Sequence, residues 1–173
     1  MMKKALLTGL TGLCLFCSPF ANAQEVNSPL RASLLDSSGK VTGTAIFNAT
    51  PKGVLVNVDI AGVSPGWHGV HFHAVGDCSD HADHFVKAGG HAARGDEQHG
   101  YFQAQGPHSG DLPNLWVHGD GTGKAEFYTA QITYENLRDA DGSALMIHAA
   151  TDDYSGQPAG NAGARVACGV IGR

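Results

Sequence analysis

The amino-acid sequence predicts an all-β protein, built as an antiparallel sandwich or barrel. Short runs rich in β-branched and aromatic residues recur along the chain, and turns containing glycine, proline, aspartate or serine separate them. No segment keeps apolar residues at helical spacing for three turns. Only 16% of the residues are charged, which excludes a charge-rich coiled coil or a long solvated helix.

The predicted elements follow from these runs in chain order. Strands are expected over residues 30–35, 41–47, 54–60, 115–118, 125–128, 144–148 and 165–171. Hairpin turns are expected at 36–39 and at the glycine-rich segment 119–123. A single helical turn is expected within 133–140.

The stretch 76–113 interrupts this rhythm. It has almost no strand pattern, but it contains five histidines, six acidic residues and seven glycines. A loop of this length is unusual in a compact domain unless it is functional or braced. A metal and a disulfide at Cys78 are the braces that its composition indicates.

The first 23 residues have the pattern of a cleaved secretory signal peptide. Two lysines precede an apolar run over 5–16, which is too short to span a bilayer, and Ala21-Asn22-Ala23 forms a cleavage site. We therefore expect one domain over 24–173, with an uncleaved membrane anchor as the alternative. Without Lys3 and Lys4, nine basic residues face 16 acidic ones, a formal charge of −7. This balance argues against a nucleic-acid partner, and no membrane partner is expected after cleavage.

Two of the four cysteines, Cys14 and Cys17, lie in the signal segment and leave with it. Cys78 and Cys168 remain in a chain bound for an oxidising compartment, so we expect them to form a disulfide.

The histidines form two candidate ligand sets. His71 and His73 stand two apart on a strand, so both imidazoles can hold one ion, and His148 at the end of another strand could reach it. The second set lies in the long stretch and consists of His91, His99, His108 and Asp111. Three imidazoles and one carboxylate suit a tetrahedral zinc. A solvated strand face and an ordinary surface loop are the respective alternatives.

Five segments, in order along the chain, resemble the copper/zinc superoxide dismutases. They are 69–73 (GVHFH, followed by Gly76-Asp77), 88–91 (AGGH), 108–112 (HSGDL), 146–148 (MIH) and 160–171 (GNAGARVACGVI). The resemblance covers essentially the whole chain after the signal. It implies a Greek-key β-sandwich or barrel with long metal-binding loops.

The same resemblance implies the metals and their ligands. Copper would be bound by His71, His73, His91 and His148. Zinc would be bound by His91, His99, His108 and Asp111, with His91 bridging the two metals. Asp152 would link ligand histidines of both sites.

The implied reaction is the dismutation of superoxide to dioxygen and hydrogen peroxide by a redox-cycling copper. His91 would release copper and take a proton, and Arg165 would attract and orient the anion. A guanidinium that only binds loop carbonyls is the alternative for Arg165. Lys87 and Arg94 are further candidates for attracting superoxide, and the sequence does not separate them.

Two other functions remain open at this point. A mononuclear zinc hydrolase or hydratase could use His71, His73 and His148 with an open coordination position. A periplasmic metal-binding protein is favoured only by His81 and His84, whose other interpretation is a solvated loop.

Two further histidines and three aromatic residues have predicted structural roles. His68 resembles the family's buried, hydrogen-bonding histidine, and His118 is expected at the surface. Trp116, Tyr101 and Phe102 could form the interface of a homodimer or pack within the domain. The family's bacterial branch implies a periplasmic location.

One segment departs from the family pattern. The family usually has an aromatic residue, then Asn or Asp, then Pro after the bridging histidine, whereas Ala92-Ala93-Arg94 stand here. We expect a smaller wall beside the zinc loop.

Overall fold

The computed structural model describes residues 28–172, so the predicted signal peptide, with Cys14 and Cys17, lies outside the described residues. The chain forms eight strands: β1 Leu30–Asp36, β2 Val41–Thr50, β3 Gly53–Ala61, β4 Gly66–His73, β5 Asp111–Val117, β6 Thr122–Thr129, β7 Ala144–His148 and β8 Arg165–Val170. Three single turns of 3₁₀ helix cover His81–Asp83, Val86–Ala88 and Asn136–Arg138. In this described part of the chain, no helix is long and apolar enough to cross a membrane.

The strands close into an antiparallel barrel in the order β1-β2-β3-β6-β5-β4-β7-β8. The chain leaves β3, passes over the neighbouring β6 and β5 to reach β4, and later passes from β6 over β5 and β4 to β7. These connections have the Greek-key pattern. The predicted all-β antiparallel Greek-key fold is confirmed.

Two details differ from the predicted elements. Strand β5 begins at Asp111, so the first long loop ends at Gly110 and contains two turns of 3₁₀ helix. The turn at 119–123 joins β5 to β6, but these strands pair only at Val117 and Gly123. Beyond that pair β5 follows β4 and β6 follows β3, because the turn lies at a corner of the barrel rather than at the tip of a hairpin.

The barrel interior is filled by alternate side chains of the strands, as expected for antiparallel strands with one buried face. Phe47 on β2 and Phe72 on β4 are fully buried, and their ring centroids lie 5.9 Å apart. A second, smaller apolar cluster surrounds the disulfide and contains Cys78, Phe85, Ala88, Ala144, Met146 and Cys168.

Two long loops, residues 74–110 and 149–164, leave the barrel beside β4. Because β4 lies between β5 and β7, His71 pairs directly with Asp111 on one side and with Met146, two residues before His148, on the other. The disulfide between Cys78 and Cys168 ties the first loop to β8. The fold therefore brings the histidine-rich segments together at one place on the barrel.

Candidate metal centre

Four imidazoles from β4, β7 and the first long loop converge at this place. His71 and His73 project from β4, and His148 ends β7. His91 reaches them through an isolated backbone bridge to His73. Ring centroids lie 3.9 Å apart for His71 and His91 and 4.8 Å apart for His71 and His148. All four residues offer ligand atoms within 4.8 Å of one another.

Each of these imidazoles leaves one buried ring nitrogen without a hydrogen-bond partner among residues 28–172. These atoms are His71 Nδ1, His73 Nε2, His91 Nε2 and His148 Nε2. The opposite ring nitrogen is engaged in each case: His73 Nδ1 lies 2.9 Å from the Gly89 carbonyl, and His148 Nδ1 lies 3.1 Å from the Gly163 carbonyl. A ring N–H that donates to a carbonyl leaves a lone pair on the other nitrogen, which is how metal-binding histidines are oriented.

The second set surrounds one carboxylate oxygen. Asp111 Oδ1 lies 2.9 Å from His91 Nδ1, 3.0 Å from His99 Nδ1 and 3.6 Å from His108 Nδ1. The nitrogens His108 Nδ1 and His91 Nδ1 are 3.4 Å apart. Ligands at zinc bond lengths in a tetrahedron are separated by about 3.3 Å, and these four separations lie close to that value. Asp111 Oδ2 accepts hydrogen bonds from the backbone of Gly100 and His108, which fixes the carboxylate.

His71 also lies close to the second set, since the ligand atoms of His71, His91, His99 and Asp111 fall within 4.8 Å of one another. Its Nε2, however, is 2.7 Å from Asp152 Oδ2, and its Nδ1 is one of the four unpartnered nitrogens. His71 therefore has no nitrogen left for a second ion, whereas His108 Nδ1 faces both His91 and Asp111.

Asp152 joins the two sets. Its Oδ2 accepts from His71 Nε2 at 2.7 Å, and its Oδ1 lies 3.0 Å from His99 Nε2. The backbone N–H of Tyr154 also donates to Oδ1, at 2.7 Å. The three side chains Asp152, His71 and His99 are fully buried. A displacement of Asp152 would therefore be felt by both sets of ligands.

Three of the histidines are neutral, as metal binding requires, whereas His99 is held in its charged form and has to release a proton when it binds a metal. Burial lowers the pKa of His71 to about 3, of His73 to about 2 and of His148 to about 4, so all three are neutral at pH 7. Burial also disfavours a charged His99, but its hydrogen bonds to Asp111 and Asp152 outweigh that effect and raise its pKa to about 9. The same contacts hold the pKa of both carboxyls below the ordinary value despite their burial.

Arg165 anchors the loop that carries His91. Its Nη1 donates to the Phe85 carbonyl at 2.5 Å, and its Nη2 donates to the Gly89 carbonyl at 2.6 Å. The Gly89 carbonyl also accepts from His73 Nδ1, so Arg165 and His73 share one acceptor. The arrangement shows the carbonyl-binding role foreseen for this guanidinium, and its positive charge remains beside the histidines.

The other two candidate charges lie in different surroundings. Lys87 belongs to the segment between the two carbonyls that Arg165 binds, and its Nζ donates to Ser79 Oγ at 3.2 Å. Arg94 donates to the Gln131 carbonyl and lies near Glu97, whose carboxylate is 4.0 Å from Arg94 Nε. The contacts of Arg94 are thus with Gln131 and Glu97.

The small residues after His91 leave space, as the sequence indicated. Ala92, Ala93 and Arg94 line a cavity of about 130 Å³ together with Ile132 and Asn136.

The other four histidines lie outside both ligand sets. His68 is buried, with Nδ1 2.7 Å from the His148 carbonyl and Nε2 2.8 Å from the Ser64 carbonyl. His118 and His84 are exposed. The half-buried His81 packs beneath Gly39, where a Cβ would lie 2.9 Å from its Nε2. Within residues 28–172, neither His81 nor His84 belongs to a group of three potential metal ligands.

Three residues next to this centre are not among the predicted site residues. Asn114 and Gln157 bind the backbone of Asp152 and His99 across 38 and 58 residues, a separation that leaves no local signal. Gly160 lies so close that a Cβ would stand 1.8 Å from Asp152 Oδ1 and 2.6 Å from His99 Nε2. Gly160 could have been found, because it begins the segment 160–171 that carries the family resemblance.

A closed Greek-key barrel with two adjoining ligand sets that share one histidine defines a protein with a paired-metal centre. Comparison with known proteins gives the same result, because the family model "Copper/zinc superoxide dismutase (SODC)" matches residues 41–171. The chain belongs to the copper/zinc superoxide dismutase family.

Individual relatives are similar over most of their length. The chain is 41% identical to the "Superoxide dismutase [Cu-Zn]" of Caulobacter vibrioides over 140 residues, which are 77% of this chain and 79% of that protein. It is 38% identical to the "Superoxide dismutase [Cu-Zn]" of Deinococcus radiodurans, covering 95% and 96% of the two chains. A crystal structure of a SOD-like protein from Bacillus subtilis matches with a TM-score of 0.75 and 33% identity, over 80% of this chain and 95% of that one.

Proposed function

We propose that this protein is an exported superoxide dismutase that uses copper and zinc to convert two superoxide anions and two protons into dioxygen and hydrogen peroxide. The observation that carries the proposal is the convergence, within residues 28–172, of four unpartnered buried imidazole nitrogens beside a second set of three histidine nitrogens and one carboxylate oxygen. A mononuclear zinc enzyme would use only the first set, and it would leave the buried His99 and Asp111 and the half-buried His108 without a role.

The two sets divide between the metals by their chemistry. We assign His71, His73, His91 and His148 to copper, since an all-nitrogen set suits both of its oxidation states. We assign His91, His99, His108 and Asp111 to zinc, which has no redox chemistry and favours tetrahedral nitrogen and oxygen ligands. Bound copper supplies the one-electron oxidation and reduction of superoxide.

His91 is the residue that we assign to proton transfer. Its Nδ1 faces Asp111 in the zinc set, and its Nε2 is buried without a partner among the copper ligands. While Nε2 is released from copper it would hold a proton, and it would pass that proton to superoxide as peroxide forms.

Arg165 is the residue that we assign to anion attraction and orientation. Its two carbonyl bonds and the disulfide at Cys168 fix the guanidinium beside His73. Of the two further cations, Lys87 is favoured because it lies on the segment that Arg165 holds, whereas Arg94 is engaged with Gln131 and Glu97.

Location and assembly extend the proposal. The signal pattern in the first 23 residues and the Cys78–Cys168 disulfide support export to the periplasm. Trp67 and Trp116 support a homodimer: they pack edge to face at 5.0 Å on neighbouring strands, yet remain 51% and 43% exposed. The acidic net charge of −5 opposes a nucleic-acid partner.

The test follows the division of ligands. A sample loaded with both metals should remove superoxide catalytically. His73→Ala should lose copper and activity while it retains zinc. His108→Ala should weaken zinc binding more than copper binding. Metal content is measured by elemental analysis and activity by superoxide decay. Equal loss of both metals from His73→Ala would contradict the division, and no activity in the loaded wild-type protein would contradict the function.

A further inference from the structure

The side-chain amide of Gln157 forms two hydrogen bonds with the backbone of His99. The His99 N–H donates to Gln157 Oε1 at 3.0 Å, and Gln157 Nε2 donates to the His99 carbonyl at 2.9 Å. This is the two-bond pattern that a residue pair of an antiparallel sheet makes. Gln157 belongs to the loop 149–164 and His99 to the loop 74–110, so this contact joins the two long loops.

A second amide grips the backbone of Asp152 in the same way. The Asp152 N–H donates to Asn114 Oδ1 at 2.9 Å, and Asn114 Nδ2 donates to the Asp152 carbonyl at 2.9 Å. Asn114 lies on β5, and its own N–H donates to Tyr154 Oη at 2.8 Å. The loop 149–164 is thus fixed to the barrel at the residue that carries the bridging carboxylate.

The two gripped residues contact each other. His99 Nε2 lies 3.0 Å from Asp152 Oδ1, and Asp152 continues to His71. The amides therefore hold the two ends of the contact that joins the zinc set to the copper set. Neither amide belongs to the ligand sets, so any effect on the metals passes through His99 and Asp152.

We infer that Asn114 and Gln157 are positioning residues that hold the His99–Asp152 pair in its metal-binding geometry before a metal arrives. The inference rests on the proposed function. A metal that enters a pre-formed site does not have to order the loops, so its affinity is higher. Only a carboxamide can donate and accept at the same time in this geometry. A carboxylate of the same shape keeps the acceptor but loses the donor.

The test compares zinc affinity in isosteric variants of the full protein. Gln157→Glu and Asn114→Asp should bind zinc about 10- to 100-fold more weakly in competition with a chromophoric chelator. Gln157→Met removes both bonds to His99, and the bond from Nε2 to the Ser155 carbonyl, without adding a charge and should weaken zinc binding similarly. The controls are Gln103→Glu and Asn48→Asp. Gln103 Nε2 donates to the Ser155 carbonyl, which Gln157 Nε2 also uses, so this control tests that shared acceptor without changing the bonds to His99; Asn48 lies on the opposite side of the barrel. Both controls should stay within about threefold of the wild type.

A spectroscopic readout separates positioning from general destabilisation. Co²⁺ bound in place of zinc should show an altered visible spectrum in Gln157→Glu and Gln157→Met but not in Gln103→Glu. Unchanged zinc affinity and an unchanged Co²⁺ spectrum in both Gln157 variants would overturn the inference, as would an equal loss in Gln103→Glu. If the wild-type protein binds zinc but does not remove superoxide, the proposed function fails, while the comparison of zinc affinities still decides the role of the amides.

Discussion

Reduction of the Cys78–Cys168 disulfide should strongly destabilise the metal-free protein. The bond joins residues 90 apart in the sequence. In the chain-entropy model, closing a loop of that length stabilises the fold by about 4–5 kcal/mol. For a domain of this size, each kcal/mol shifts the unfolding temperature by about 2–4 °C, so the midpoint should fall by about 8–20 °C on reduction.

The assay is thermal unfolding of the metal-free protein, followed by circular dichroism with and without a phosphine reductant. Reduction of the wild-type protein breaks one bond and leaves the cluster of Phe85, Ala88 and Met146 chemically intact. The variant Cys78→Ala/Cys168→Ala is the control, because its midpoint should not respond to the reductant. A decrease of less than about 3 °C in the wild-type midpoint, which corresponds to about 1 kcal/mol, would refute the loop-closure reasoning.

Three further outcomes are expected. Gly160→Ala should weaken zinc binding at least about tenfold, because the new Cβ would fall 1.8 Å from Asp152 Oδ1 and force the carboxylate away; zinc affinity equal to the wild type would contradict this. Arg165→Gln should lower kcat/KM about tenfold or more and flatten its dependence on ionic strength, and an unchanged salt dependence would argue against anion attraction. Urea unfolding of the metal-free protein should show maximal stability near pH 6.5. The folded-state pKa of His73, about 2, lies below its unfolded value, so stability is lost as the pH falls below 6.5. The folded-state pKa of His99, about 9, lies above its unfolded value, so stability is lost as the pH rises through 9. His99→Gln should remove the alkaline loss, while the acid loss carried by His73 should remain.

Much of the fold follows from local patterns in the sequence. The strands over 54–60 and 144–148 are recognised because β-branched and apolar residues fill runs of strand length between turns. The closed order of the strands does not follow from such runs. The turn at 119–123 shows the reason, since its sequence is that of a hairpin but the two strands separate after Val117 and Gly123 to pair with different partners.

For the site as well, some features follow from the local sequence and others depend on contacts between distant segments. His71 and His73 are found together because the two-residue period of a strand places them on one face. The convergence of His148, His91 and Asp152 on them depends on strand register across the barrel, for which the sequence alone offers only the family resemblance.

The contacts that support the site are the hardest to foresee. Gln157 and Asn114 are ordinary polar residues in sequence, and their two-bond contacts appear only when segments 58 and 38 residues apart are brought together. His81 is a further case: its place beneath Gly39 joins the first long loop to the turn after β1, and no spacing in the sequence indicates that contact.

Copper held beside a zinc-bound His91 is expected to dismute superoxide. The most direct measurement is the decay of superoxide generated by pulse radiolysis, with the protein loaded with copper and zinc, then stripped of copper alone, then resupplied with copper. We expect rapid catalytic decay, its loss when only zinc remains, and its return with copper. Decay that persists with zinc alone, or that never appears with both metals bound, would contradict the account.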